Sequence, residues 1–358
     1  MSITIFLVFL AVTILWFFLP LIPALREFIA PTDIAPLTVV SRESSDIAFF
    51  ANNFRNYLLP QIEKFNFTLL QNSEPAMLPD GTPFVRVQGA EQLPFQQHQS
   101  MNMVDYLVIA GDETMLPNSM TLLREVYGVG SLRGGDDCVY RAILVEGDLE
   151  LRRRCVILRW VHSVGGLDAQ EGTILHGRAS SDQALHLAPG VTFEWIAAPV
   201  ISVVSAKEYA TETSVEKVQR SPIDLGDMVA MSDNTYRTDG DFAVPEKSLV
   251  TGHLVVTGGL VIGPGAHIRG NLKAHETVTL GDGCRIDGSI VARSTVFIGK
   301  NCIIGGPLIS EKEITVGHGS AIGTQEKPAT VSAPRVSLHS GVTVSGMVVA
   351  NNEGKTVS

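Results

Sequence analysis

The sequence predicts an all-β chain, a three-sided parallel β-helix with about eighteen residues per coil, preceded by an N-terminal transmembrane helix and a short helical segment. Three observations predict it. Aliphatic residues recur at an eighteen-residue step in two rows, Ile262, Leu280, Ile298, Val316 and Ile268, Ile286, Ile304, Ile322, and glycine follows each member of the first row. Between them, apolar residues alternate in short bursts separated by turn residues, which is a strand pattern rather than a helix pattern. Finally, no charged side chain interrupts the apolar run from Ile3 to Leu25.

That run defines the first element, residues 1–27. Its length suits a helix rising ~1.5 Å per residue across ~30 Å of hydrocarbon, with Ile3, Phe6, Leu10, Ile14, Trp16, Phe18 and Leu25 facing lipid. No Lys or Arg precedes it and no Ala-x-Ala site follows, so the run reads as a retained anchor rather than a cleaved signal. Arg26 and Arg42 lie on its carboxyl side, which places the large domain in the cytoplasm and the chain, as a single-pass protein, in the cytoplasmic (inner) membrane. Residues 28–105 form a juxtamembrane segment. Within it Ser44 to Phe65 is expected to be helical, with Ile47, Phe50, Phe54, Tyr57, Leu58 and Ile62 as one apolar stripe that hides the open edge of the first coil. Pro60 is expected to kink or end this helix.

The eighteen-residue template is weaker over 106–205, where Leu167, Gly172 and Leu175 precede Leu185, Gly190 and Phe193 by one period. This stretch is read as an irregular β-helical segment with larger side chains. Residues 206–241 lack alternation and read as a polar insertion or linker. The regular β-helix covers 242–350, its core formed by Ile262, Ile268, Leu280, Ile286, Ile298, Ile304, Val316 and Ile322. Its last coil follows a four-residue insertion near 325–334, and 351–358 form a short polar tail.

A net charge of −10 excludes a basic phosphate-binding surface, so nucleic acid is not an expected partner. Arg152, Arg153 and Arg154 read as a solvated coil corner. Cys284 and Cys302 are one period apart, at an interior position shared with Ala266 and Ser320, whereas Cys138 and Cys155 fall out of strict register. Nine scattered histidines build no site, no cysteine or histidine cluster has metal-ligand spacing, and Gly263-Pro-Gly265 and Gly281-Asp-Gly283 are turn glycines rather than a nucleotide loop. No cofactor and no enzymatic activity are expected.

The runs Gly288-Ser-Ile-Val-Ala292, Thr295-Val-Phe-Ile298-Gly299 and Ile304-Gly-Gly306-Pro-Leu308-Ile-Ser310 resemble the repeat of the bactofilins, the polymer-forming cytoskeletal family of bacteria. The resemblance spans 242–350 closely and 106–200 loosely. It implies a right-handed coil, end-to-end assembly without nucleotide, and a scaffold role for envelope or cell-shape proteins at the inner membrane. This chain departs from the family in its anchor, in its extra repeat-like segment, and in having Val344 where family members carry phenylalanine. Two alternatives share the pattern: a left-handed hexapeptide-repeat acyltransferase, since aliphatic residues also fall at multiples of six, and a membrane adaptor that does not polymerise. The insertion near 325–334 carries no histidine to serve the acyltransferase. The last coil, with Val336, Leu338, Val344, Met347 and Val348, is expected to be an uncovered, self-associating end that makes the chain a homo-oligomer or filament. On that expectation Val344→Asp or Val348→Lys reduces self-association and leaves β content intact.

Overall fold

The computed structural model describes residues 3–18, 46–63, 74–89, 93–98, 101–204, 221–222, 229–232 and 234–358. Residues Met1–Asp46 form one unit and Ile47–Ser358 another. In the first, helix α1 spans Ile3–Phe18, an uncharged and mostly apolar segment of 16 residues. At ~1.5 Å per residue that is about 24 Å, short of the hydrocarbon thickness. Among the described residues no helix is long and apolar enough to cross a membrane. Leu25, the carboxyl end of the expected span, lies outside the described residues, as do Arg26 and Arg42.

The second unit is a β-solenoid of about 13 turns at a spacing of about 18 residues, built as two parallel β-helices. In the amino-terminal one, Val85, Val108, Val126, Ile143, Val161, Ala179 and Ile196 stack in register on one of three sheets. In the carboxyl-terminal one, Val250, Ile268, Ile286, Ile304, Ile322 and Val344 stack likewise. Each row points inward, and one continuous apolar core runs through both helices. All eight residues of the two sequence rows are buried in it.

One turn position per coil demands a left-handed backbone. Ser119, Asp137, Arg154, Gly172 and Gly190 occupy it in the first helix, and Lys247, Gly265, Gly283, Asn301, Gly319 and Gly341 in the second, all at φ between 53° and 79°. Glycine and asparagine meet this demand cheaply. This position accounts for Gly265, Gly283, Gly319 and Gly341, whereas the periodic Gly263, Gly281, Gly299 and Gly317 lie outside it and are glycine because a Cβ there would come within 2.5–2.7 Å of the coil before. Ion pairs compensate in the first helix: Arg154 lies 2.5 Å from Asp137 and Arg152 lies 3.3 Å from Asp136, so the three arginines do form a solvated corner.

Several boundaries differ from expectation. Strands Ser221–Pro222, Val229–Ser232 and Thr235–Thr238 extend the second helix into the stretch read as a linker. They pair with the first regular coil or with each other. The stretch read as a polar tail is also strand, because Thr343–Val357 runs unbroken through it. Cys138 and Cys155 do occupy equivalent sites, since Val139 pairs with Val156 across a coil that is one residue shorter than the template.

Candidate functional site: coil edges and lateral faces

Function in a solenoid resides on its ends and long faces, and the ends hold the main departure from expectation. The last coil is not uncovered. Strand Thr192–Val203, the end of the first helix, pairs antiparallel with Thr343–Val357, the end of the second. Ile201 faces Val344, Ile196 faces Val348, Ala197 faces Met347 and Phe193 faces Gly354. Hydrogen bonds close both ends of this seam: the Val203 amide donates to Val342 O at 2.9 Å, Gly341 to Val203 O at 2.8 Å, and Thr356 to Val191 O at 2.9 Å. Val336, Leu338, Val344 and Val348 are fully buried, and Met347 is half-buried on the outer surface. The five residues assigned to a free self-association end therefore sit in or beside a seam within one chain. The sequence missed this because an antiparallel junction between two parallel coils leaves no periodic signal across 150 residues of chain.

Gly346 is part of the mechanism of closure. Its φ is 126°, and a Cβ there would meet the Ala329 carbonyl oxygen at 2.3 Å, so no side chain fits between the last two coils at that corner.

At the outer ends, antiparallel strands blunt the edges. Pro75–Met77 pairs with Pro83–Val87, Gln96–His98 with Met101–Val104, and Val229–Ser232 with Thr235–Thr238. Hairpins of this kind turn an edge away from further pairing.

Helix α2, Phe49–Glu63, lies along a lateral face of the first helix and not over its open end. It continues through Pro60, the twelfth of its fifteen residues, and ends at Glu63, less than one turn later. Ala51 and Leu58 are buried against Phe84, Leu107, Tyr127, Leu144 and Trp160, which come from five successive coils. The Phe54 and Trp160 rings are 5.7 Å apart, and the Arg178 guanidinium sits 5.1 Å from Phe50 and 5.5 Å from Trp195. Arg55 makes a bidentate pair with Glu146 at 2.8 and 3.1 Å. Burial, with Glu146 nearby, pushes the Tyr127 hydroxyl up to about 12.

Near the far end of α2, the Tyr57 hydroxyl donates to Asp80, and with the Thr82 amide this lowers the Asp80 carboxyl to about 2. A carboxyl lowered on folding stabilises above its unfolded value of 3.8, and that contribution is lost as pH falls from about 4 to 2. NMR titration of Asp80 is expected to give about 2 in the parent and a higher value in Tyr57→Phe, still below 3.8 because the Thr82 amide and hydroxyl remain. Titration near 3.8 in both proteins would remove this anchor from the account.

The interior cysteines are structural. Cys138, Cys284 and Cys302 donate to the carbonyls of Pro117, Gly263 and Gly281, each 21 residues earlier, at 3.2, 3.2 and 3.3 Å. Ser320 and Thr173 make the same bond to Gly299 and Arg152, at 2.9 and 3.1 Å. The site thus calls for a small donor that satisfies the turn of the coil before. All four thiols are free and buried, and burial pushes Cys155 up to about 12.

One shallow concavity of about 410 Å³ lies on the sheet that carries Met115, Arg133, Glu150, Asp168 and His186 as an outward ladder. Arg133 and Gln170 hold both Glu150 oxygens, at 2.6 and 2.5 Å. Partial burial raises the Asp168 carboxyl, and Glu150 and Asp148 add to this. On the second helix, Val261, Phe297, Ile303 and Ile309 project apolar side chains outward, each more than 40% exposed. Among the described residues no group of three or more histidine, cysteine or acidic side chains could hold a metal ion. Several histidines serve coil contacts: His253 accepts from the Asn271 amide at 3.0 Å, and His267 pairs with Asp287 at 2.8 Å.

Comparison with known proteins gives no matching family model, no matching curated protein and no matching solved structure.

Proposed function

We propose that this chain is a membrane-tethered, rod-like scaffold that recruits partner proteins along its lateral faces and does not grow by stacking coil ends. One observation carries the reading. The carboxyl-terminal edge, the surface on which an end-to-end polymer would depend, is already paired with Thr192–Val203 of the same chain. The antiparallel hairpins at the outer ends point the same way. The apolar run from Ile3 to Leu25, of which α1 is the first part, supports the tether, and Arg26 and Arg42 favour a cytoplasmic rod at the inner membrane. The exposed Val261 and Phe297 on one sheet, Ile303 on a second and Ile309 on the third give each lateral face of the second helix a single apolar contact point for clients such as envelope proteins.

Sedimentation velocity of the full chain in detergent tests the reading. A closed species no larger than a dimer is expected up to the high micromolar range. Filaments or open-ended growth would overturn it in favour of the bactofilin-like polymer, the reading supported by the repeat runs between Gly288 and Ser310. Removal of residues 1–27 is expected to abolish co-flotation with liposomes; flotation that survives the deletion would sink the tether.

A further inference from the structure

The seam has a pseudo-twofold symmetry that chain connectivity does not require. In the final coil of the first helix the three sheets are entered in the order Phe193, Ile196, Ile201; in the final coil of the second the order is Val344, Val348, Gly354. Pairing joins first to last, middle to middle and last to first: Phe193 with Gly354, Ile196 with Val348, and Ile201 with Val344. This is how two identical coil ends would meet tail to tail about a twofold axis. Here two halves of one chain meet in that way.

We propose that the seam is an exchangeable interface for a second copy of this chain, in which each rod of a dimer joins the first helix of one copy to the second helix of the other. Three observations support exchange. Among the described residues, Thr192–Val203 with Thr343–Val357 is the one strand pairing that ties the helices together, while every other pairing lies within one helix. The complementarity belongs to the coil ends themselves, so the edge of a second copy offers the same partners in the same order. The chain also leaves the seam after Val204 and re-enters at Ser221, which pairs with Ser248 at the opposite end of the second helix. Closure within one chain thus doubles back over six coil steps, about 29 Å at ~4.8 Å each. The seventeen residue steps from Val204 to Ser221 reach up to roughly 58 Å at ~3.4 Å each, enough for the seam of a neighbouring rod as well as its own. Closure within the chain has the advantage of a high effective concentration, so exchange is set by protein concentration during folding.

Ala197 and Met347 are partners across the seam, both half-buried on the outer surface. Opposed residues in antiparallel strands have Cα atoms about 4.5–5.5 Å apart, within disulfide range. Full-length Ala197→Cys and Met347→Cys proteins carrying different tags would be unfolded, mixed, refolded in detergent under reductant, and then oxidised with oxidised glutathione. The expected result is a disulfide-linked dimer carrying both tags, its yield rising with protein concentration during refolding. The double variant A197C/M347C at low concentration is expected to cross-link within one chain. A second pair, Ser202→Cys with Thr343→Cys, guards against a local failure of either variant. If the double variants close within the chain while mixed single variants stay monomeric at high micromolar concentration, the exchange proposal fails. If neither double variant closes within the chain, the seam itself is refuted and the proposal falls with it.

Discussion

Ile201→Asp is expected to open the seam while leaving most of the coils wound. Ile201 is 1% exposed and its partner Val344 is 0% exposed, so the new carboxylate would sit between two apolar coils with no cation to meet it. The penalty for such a site is on the order of 4 kcal/mol. It falls on one interface, because a solenoid coil contacts only its neighbours and each helix keeps its own pairings. The expected readout is a far-ultraviolet spectrum close to the parent's, a lower sedimentation coefficient as the rod becomes two linked bodies, and faster proteolysis between 204 and 221. Ile303→Asp is the comparison, since Ile303 is 44% exposed on a lateral face and the change there should stay within about 0.5 kcal/mol. Equal stability of the two variants would contradict the seam. The same reasoning changes what Val344→Asp and Val348→Lys report: both residues are buried in the seam, so these substitutions break a contact within the chain before they alter any contact between chains.

Trp160→Ala is expected to release helix α2. The indole packs against Phe54 and fills the space between α2 and the face made by Leu107, Tyr127 and Leu144. Loss of a buried tryptophan side chain costs about 3–5 kcal/mol, and here much of that loss falls on the attachment of α2, which holds the face through few buried residues. Arg55 reports the release directly: it is held by Glu146 in the packed helix and becomes a trypsin site when the helix lifts. Cleavage after Arg55 should accelerate on the order of a hundredfold, since each 1.4 kcal/mol is a factor of ten. An unchanged cleavage rate would show that α2 does not depend on this face.

The solenoid was legible because its physics is local and repeated. Each coil must bury Ile or Leu at fixed steps and make one left-handed turn, so Ile286 or Gly283 repeats a constraint already stated by Ile268 or Gly265. The first helix was harder to read because Ser119, Asp137 and Arg154 take the turn position in place of glycine, and because coils of seventeen residues break the step. The placement of α2 was half legible. Its apolar stripe announced burial, but an open coil end and the lateral face of Phe84, Leu107 and Trp160 ask for the same stripe. The seam was not legible at all. Val344 and Val348 carry the signature of an edge that needs a partner, and sequence does not distinguish a partner in the same chain from one in another copy.

Hydrogen exchange at the seam amides tests the central claim most directly. The Val203, Gly341 and Thr356 amides each donate across the seam, to Val342, Val203 and Val191. In the intact chain at low protein concentration, where partners from other copies are scarce, these three are predicted to exchange as slowly as interior coil amides such as Ile290, which donates to Pro307. Exchange at the rate of an open edge, with Ile290 still protected, would contradict the account and leave the last coil free for another molecule.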